Sequence, residues 1–182
     1  MPTALIVIDM QQGMFMPPFE PHDGDAVVAR IASLLDHARA QRLPVVHVRH
    51  DGGEGDILAE GTPGWFHHPA VAPRGNEPVI DKRHSSAFHE TDLHTRLTGL
   101  GVDHLLIAGM QTEYCVDSAC RSGVLLGYRV TLVRDGHTTY DSPVLPAAQI
   151  IAHHNQTLGS SMVTLVAAQD ALASGSSPRH HP

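Results

Sequence analysis

Short apolar runs without polar alternation recur along this 182-residue chain, and segments of helical period separate them. Ala4-Leu5-Ile6-Val7-Ile8 is the first, and it stops at Asp9. A strand with one wet face alternates apolar and polar residues. A run without alternation fits a strand buried on both faces. Pro44–His50, the weaker Glu77–Asp81 that delivers Lys82, His104–Ala108, Arg129–Arg134 and Ser161–Val166 read the same way. Between them, Val27, Ile31, Leu34, Leu35 and Ala38 fall at helical spacing and predict a helix over about Asp23–Gln41, with Asp23 or Asp25 as its cap. Further helices are expected over Thr91–Leu100, from Cys115 to near Gly127, and from Pro143 to Leu158 with Pro143 near the first turn. A short Ala-rich helix closes the series. Such alternation predicts an α/β fold, a parallel sheet covered on both faces. It forms one domain over residues 1–173, and residues 174–182 read as a flexible tail.

Composition excludes several partners. The formal charge is -7 and aromatic residues make up 4% of the chain, which argues against a nucleic-acid partner. No segment reaches the roughly 18 apolar residues of a membrane span. The N-terminal apolar run has no basic region before it and reads as a strand, not a signal peptide. Cys115 and Cys120 are five residues apart, so on a helix they are separated by roughly 500° of rotation and leave on different sides. A disulfide between them is not expected, and the chain reads as a reducing, cytoplasmic protein. Cys120 reads as a small core residue.

In a parallel α/β sheet, ligands bind beyond the carboxyl ends of the strands, where the strand order reverses. Asp9 follows the first strand, Lys82 the third, and Cys115 lies just past the fourth. A free thiol has a pKa near ~8.5 and is a weak nucleophile until it loses its proton. A lysine ammonium and a helix N-terminus both favour the thiolate. A carboxylate can take the thiol proton, pass it to a leaving amine or alcohol, and later deprotonate water. Backbone N–H groups in the cysteine turn are natural donors to the oxyanion. Asp9, Lys82 and Cys115 are therefore the expected catalytic set.

These residues carry a resemblance. Asp9-Met10-Gln11, Lys82-Arg83-His84-Ser85-Ser86-Ala87-Phe88 and Gly109-Met110-Gln111-Thr112-Glu113-Tyr114-Cys115-Val116 make the chain similar to the isochorismatase-like cysteine hydrolases, among them nicotinamidases and N-carbamoylsarcosine amidohydrolases. The similarity covers almost the whole domain. It implies a three-layer α-β-α fold with a six-stranded parallel sheet. It also implies an Asp9–Lys82–Cys115 triad and assembly as a dimer or tetramer. A cis peptide between Met110 and Gln111 is implied as well, placing the Gln111 N–H beside that of Cys115 at the oxyanion. The family's nicotinamidases hold a metal with an Asp-x-His pair. Here the second strand ends His47-Val48-Arg49-His50-Asp51, and arginine is no ligand. No metal or cofactor is expected, although His50 and His84 could meet in space. Cys115 also argues against vinyl-ether hydrolysis, because true isochorismatases lack the nucleophilic cysteine.

The expected activity is therefore hydrolysis of a C–N bond in a small amide or carbamoyl substrate through a thioester. Ester or thioester hydrolysis by the same triad, or a non-enzymatic redox-sensing or ligand-binding role for Cys115, are the alternatives. The long Gly- and Pro-rich segment from about Asp51 to Asn76 is expected to be functional. Phe15, Trp65, Thr112 and Tyr140 are the residues expected at the substrate, Trp65 foremost, with Thr112 also shaping the cysteine turn. His153-His154-Asn155 cannot all face one ion, because successive helical residues point about 100° apart. It reads as helix surface or as a hydrogen bond to the cysteine turn.

Overall fold

The computed structural model describes residues 2–173. The expected tail over residues 174–182 lies outside them. Six strands form one sheet: β1 (Thr3–Ile8), β2 (Val45–His50), β3 (Val79–Lys82), β4 (His104–Met110), β5 (Arg129–Thr138) and β6 (Thr164–Val166). Their order is β3-β2-β1-β4-β5-β6, and every pairing is parallel. The order reverses between β1 and β4, which opens the crevice that a doubly wound sheet uses for its ligands.

The helices divide between the two faces. Along β1, Ala4, Ile6 and Ile8 point into one core with Leu93 and Leu97 of α2 (Leu93–Gly99), Ala119 and Cys120 of α3 (Asp117–Leu125) and Leu158 of α4 (Ala147–Gly159). Leu5 and Val7 point the other way, onto α1 (Gly24–Ala40), with α5 (Ala168–Ala173) beside it. The α1 stripe of Val27, Val28, Ile31, Leu34, Leu35 and Ala38 is buried. Each of its large side chains contributes roughly 1.5–3 kcal/mol by leaving water. This double burial explains why β1 lacks alternation.

The element boundaries depart from the sequence reading in physically informative places. Asp23 precedes α1 in a left-handed conformation, and its side chain makes no capping hydrogen bond. α4 starts at Ala147 with Pro146 before it, four residues later than the Pro143 start. The Asp141 carboxylate accepts from the Ala147 N–H at 2.8 Å and so receives the first orphan donor of that helix. β5 continues beyond Arg134 to Thr138, although Asp135-Gly136 looks like a turn. A register irregularity between Ile107 and Gly109 lets the strand resume, pairing His137 with Gly109 and Thr138 with Met110.

Gly109 fixes how β4 approaches β1. Its φ is 131°, and a Cβ there would overlap the backbone of Ile8. Gly109→Ala is therefore expected to cost about 3 kcal/mol or more, lowering the thermal midpoint by roughly 6–12 °C. A melting curve of the variant checks this, and an unchanged midpoint would show that the two strands can separate without loss.

Candidate active site

Four strand ends meet at the switch point. Asp9 follows β1 in a left-handed conformation, φ 50°, which Asp tolerates better than most residues. Its N–H donates to the Val48 carbonyl at 2.9 Å, and the residue is buried. Gln11 ties this loop to β2. Its side chain accepts from the His50 N–H at 2.8 Å and donates to the carbonyls of His50 and Trp65 at 2.9 and 3.0 Å.

Lys82 ends β3, and His50 stands beside it in register at the end of β2. The ammonium of Lys82 is enclosed. Nζ lies 2.7 Å from Asp9 Oδ2, 3.2 Å from His50 Nδ1 and 3.2 Å from Cys115 Sγ. An ammonium has three donors and no acceptor, so each proton has one partner. Burial opposes the charge, yet the Asp9 carboxylate holds the Lys82 pKa above its ordinary value.

Cys115 does not open a regular helix. It sits in a π-helical turn over Thr112–Val116, and α3 begins only at Asp117. The Met110–Gln111 peptide that leads into this turn is cis. The Val116 N–H reaches back to the Gln111 carbonyl at 3.1 Å. Thr112 Oγ1 lies 2.8 Å from His137 Nδ1, His137 Nε2 lies 3.1 Å from Asn155 Oδ1, and Asn155 Nδ2 donates to the Arg134 carbonyl at 2.9 Å. Burial lowers the His137 pKa to about 4, so the ring is neutral. It donates to Asn155 and accepts from Thr112, tying the cysteine turn to α4 and β5. Of the His153-His154-Asn155 stretch, Asn155 thus serves the turn through His137. Cys120 is fully buried in the core, and both cysteines are free.

The thiol differs from expectation. Burial pushes the Cys115 pKa up to about 12, and the Asp9 charge adds to the rise while Lys82 opposes it. Burial first, and the Asp9 carboxylate second, favour the neutral thiol over the thiolate. Asp9 Oδ1 is buried without a hydrogen-bond partner. This carboxylate oxygen is the one left to accept a proton.

The thiol faces a cavity of about 340 Å³. Asp9, His50, Ser85, Gln111, Tyr114 and Cys115 line it together with Gly13, Met14, Phe19, Asp56, Ile57, Leu58 and Tyr140. The Phe19 and Tyr140 rings lie 5.8 Å apart, and the Tyr140 hydroxyl donates to the Met14 carbonyl at 2.7 Å. The long segment after β2 contributes Asp56, Ile57 and Leu58. Of the residues expected to meet substrate, Tyr140 is therefore in the wall, and three are elsewhere. Phe15 packs edge-on to His68. Thr112 is buried behind the cysteine turn. Trp65 is covered by the Arg49 guanidinium, 3.3 Å from its ring. Arg49, itself paired with Asp81 at 2.6 Å, takes the face a substrate would use.

Met14, Phe19, Ile57 and Leu58 carry no individual signal of this role in the sequence, and Ser85 appears there only as part of the Lys82–Phe88 motif. The sequence reading considered His50 only as a metal ligand. Its place beside Lys82 was available from the strand pairing, since both residues close adjacent strands. His50 Nδ1 is engaged by Lys82, whereas His84 pairs with Glu90 at 2.9 Å and stacks on His89 at 4.0 Å. Among the described residues, His84, His89 and Glu90 form the one group able to offer three ligands to a cation.

The same architecture is found in known proteins. The Isochorismatase domain family matches residues 3–153. A streptothricin hydrolase of Streptomyces noursei is 38% identical over 143 residues, covering 79% of this chain and 57% of the relative. The chain thus spans little more than half of that protein. The maleamate amidohydrolase of Pseudomonas putida is 33% identical over 150 residues, 72% of this chain and 70% of the relative. The crystal structure of a cysteine hydrolase from Pseudomonas syringae superposes with a TM-score of 0.88 at 27% identity, covering 94% of this chain and 91% of that one.

The charges around Cys115 give opposite signs for two variants. Asp9→Asn removes a charge that raises the thiol pKa, so alkylation by iodoacetamide at pH 8 is expected to accelerate, roughly tenfold for each unit by which the pKa falls. Lys82→Met removes the opposing charge, and alkylation is expected to slow. Rates of equal size in the two variants would contradict this balance.

Proposed function

The chain belongs to the isochorismatase family of hydrolases, and from that premise we propose that it is a cysteine-dependent amidohydrolase that cleaves a small amide or carbamoyl substrate. The observation that carries the reading is the Lys82 ammonium, which holds the Asp9 carboxylate and the Cys115 thiol at 2.7 and 3.2 Å on the floor of a cavity. The names of the maleamate amidohydrolase and the cysteine hydrolase among its relatives support the cleavage of a C–N bond by a thiol.

The reaction begins from the neutral thiol. Sγ attacks the amide carbonyl carbon as the thiol proton passes to Asp9, so charge separation in the buried site is brief. Lys82 remains an ammonium throughout and offsets the charge on sulfur and carboxylate. The N–H groups of Gln111 and Cys115 receive the oxyanion. As the tetrahedral species collapses, Asp9 returns the proton to the leaving nitrogen, and the C–N bond breaks to leave a thioester on Cys115. Water then attacks the thioester carbon. Asp9 takes its proton, the acid departs, and the proton returns to sulfur.

A panel of small amides and matched esters tests the reading. Hydrolysis is expected to fall by roughly 1,000-fold or more in Cys115→Ala and by roughly 100-fold or more in Asp9→Asn. Full activity in Cys115→Ala would overturn the mechanism. Turnover of the esters alone would move the assignment from amides to esters.

A further inference from the structure

Lys82 fixes the protonation of its neighbour His50. An ammonium donates and cannot accept. The Nδ1 of His50, 3.2 Å from Lys82 Nζ, therefore carries the lone pair. Burial, reinforced by the Lys82 charge, keeps the His50 pKa below its ordinary value, so the ring is neutral and its proton resides on Nε2. No hydrogen bond engages Nε2 within the described residues, and it is not among their buried polar atoms that lack a partner. His50 belongs to the cavity wall. A cavity-wall histidine of fixed tautomer is thus held by the same ammonium that contacts the carboxylate and the thiol.

The rest of the wall narrows what that donor can meet. Its charged side chains are Asp9 and Asp56, and neither lysine nor arginine lines it. Asp9 is paired with Lys82. Asp56 accepts from the Leu58 N–H at 2.7 Å and has no cationic partner among the described residues. A carboxylate on the substrate would find no counter-ion here and would face Asp56. A neutral oxygen pays no such penalty. Met14, Phe19, Ile57 and Leu58 supply apolar contact for the remainder.

We infer that His50 is a specificity-determining residue that donates its Nε2–H to a second, uncharged carbonyl oxygen on the acyl part of the substrate. The site then takes neutral amides that carry a ketone, lactam or imide-type oxygen near the scissile carbonyl. This rests on the amidohydrolase reading, and two measurements separate the fates of the two claims.

The first measurement needs no turnover. A long-range proton–nitrogen correlation spectrum of the protein labelled with ¹⁵N-histidine, compared with that of His50→Gln, is expected to show His50 as the Nε2–H tautomer. The Nδ1–H tautomer would overturn the inference. The second uses acetoacetamide and butyramide, close in shape and differing in one carbonyl oxygen, with malonamate as the carboxylate counterpart. Acetoacetamide is expected to protect Cys115 from iodoacetamide at concentrations roughly tenfold lower than butyramide, and malonamate to protect less well than acetoacetamide. Where a probe is hydrolysed, KM replaces the protection constant. In His50→Phe the gap is expected to shrink to within about twofold, whereas His50→Gln, whose amide still donates, keeps part of it. Equal protection by the two neutral probes in the wild type, or an undiminished gap in His50→Phe, would overturn the assignment. A protein that shows the tautomer and the gap yet hydrolyses no amide refutes the amidohydrolase reading and retains recognition by His50.

Discussion

The Lys82 ammonium is the constraint on which the site depends. It is enclosed, and its three protons are directed to groups delivered by β1, β2 and the turn after β4. A buried charge is tolerable only when it is paired and hydrogen-bonded. Lys82 meets that condition only if all four strand ends stay in register. Removing one partner of such a pair typically costs about 3–5 kcal/mol. The sheet and the site are therefore coupled. The pairing of His50 with Lys82, the close approach of Gly109 to Ile8 and the bridge from Gln11 to the end of β2 are parts of one arrangement.

The same grouping bears on the resting state of the Cys115 thiol. A carboxylate and an ammonium cancel, and a neutral thiol beside them adds no charge to a buried place. A thiolate would add one, and the Asp9 carboxylate next to it makes that addition more costly. Burial and Asp9 raise the Cys115 pKa against the pull of Lys82 toward the thiolate, and the proposed mechanism therefore moves the proton to Asp9 during attack, the acceptor expected from the sequence. In that mechanism Lys82 positions Asp9 and Cys115 and offsets charge as it develops.

Much of this was legible in the chain. Unalternating strands such as Ala4–Ile8 announce a doubly buried sheet. The spacing of Val27, Ile31, Leu34, Leu35 and Ala38 gives α1. Asp9, Lys82 and Cys115 could be placed together because strand ends are where such sheets gather chemistry. What was not legible depends on contacts between segments far apart in sequence. Trp65 looked like a substrate contact until Arg49, sixteen positions earlier, was seen to cover its ring. Phe19 is unremarkable in sequence and lines the cavity only because it meets Tyr140. β5 reads as ending at Arg134, since the partner that lets it continue lies on β4. His50 looked like half of a metal pair. Its role as a neutral donor emerges from the single atom of Lys82 that faces it.

The proposed mechanism requires Cys115 to form a covalent bond to the acyl group under the control of Asp9 and Lys82. Rapid acid quench of a single turnover, followed by peptide mass analysis, tests it most directly. The peptide containing Cys115 is expected to carry the mass of the acyl group early in the reaction and to lose it as the acid product appears. An amide hydrolysed at full rate with Cys115 unmodified at every time point, and with an intermediate absent under conditions that preserve thioesters, would rule out covalent catalysis by Cys115.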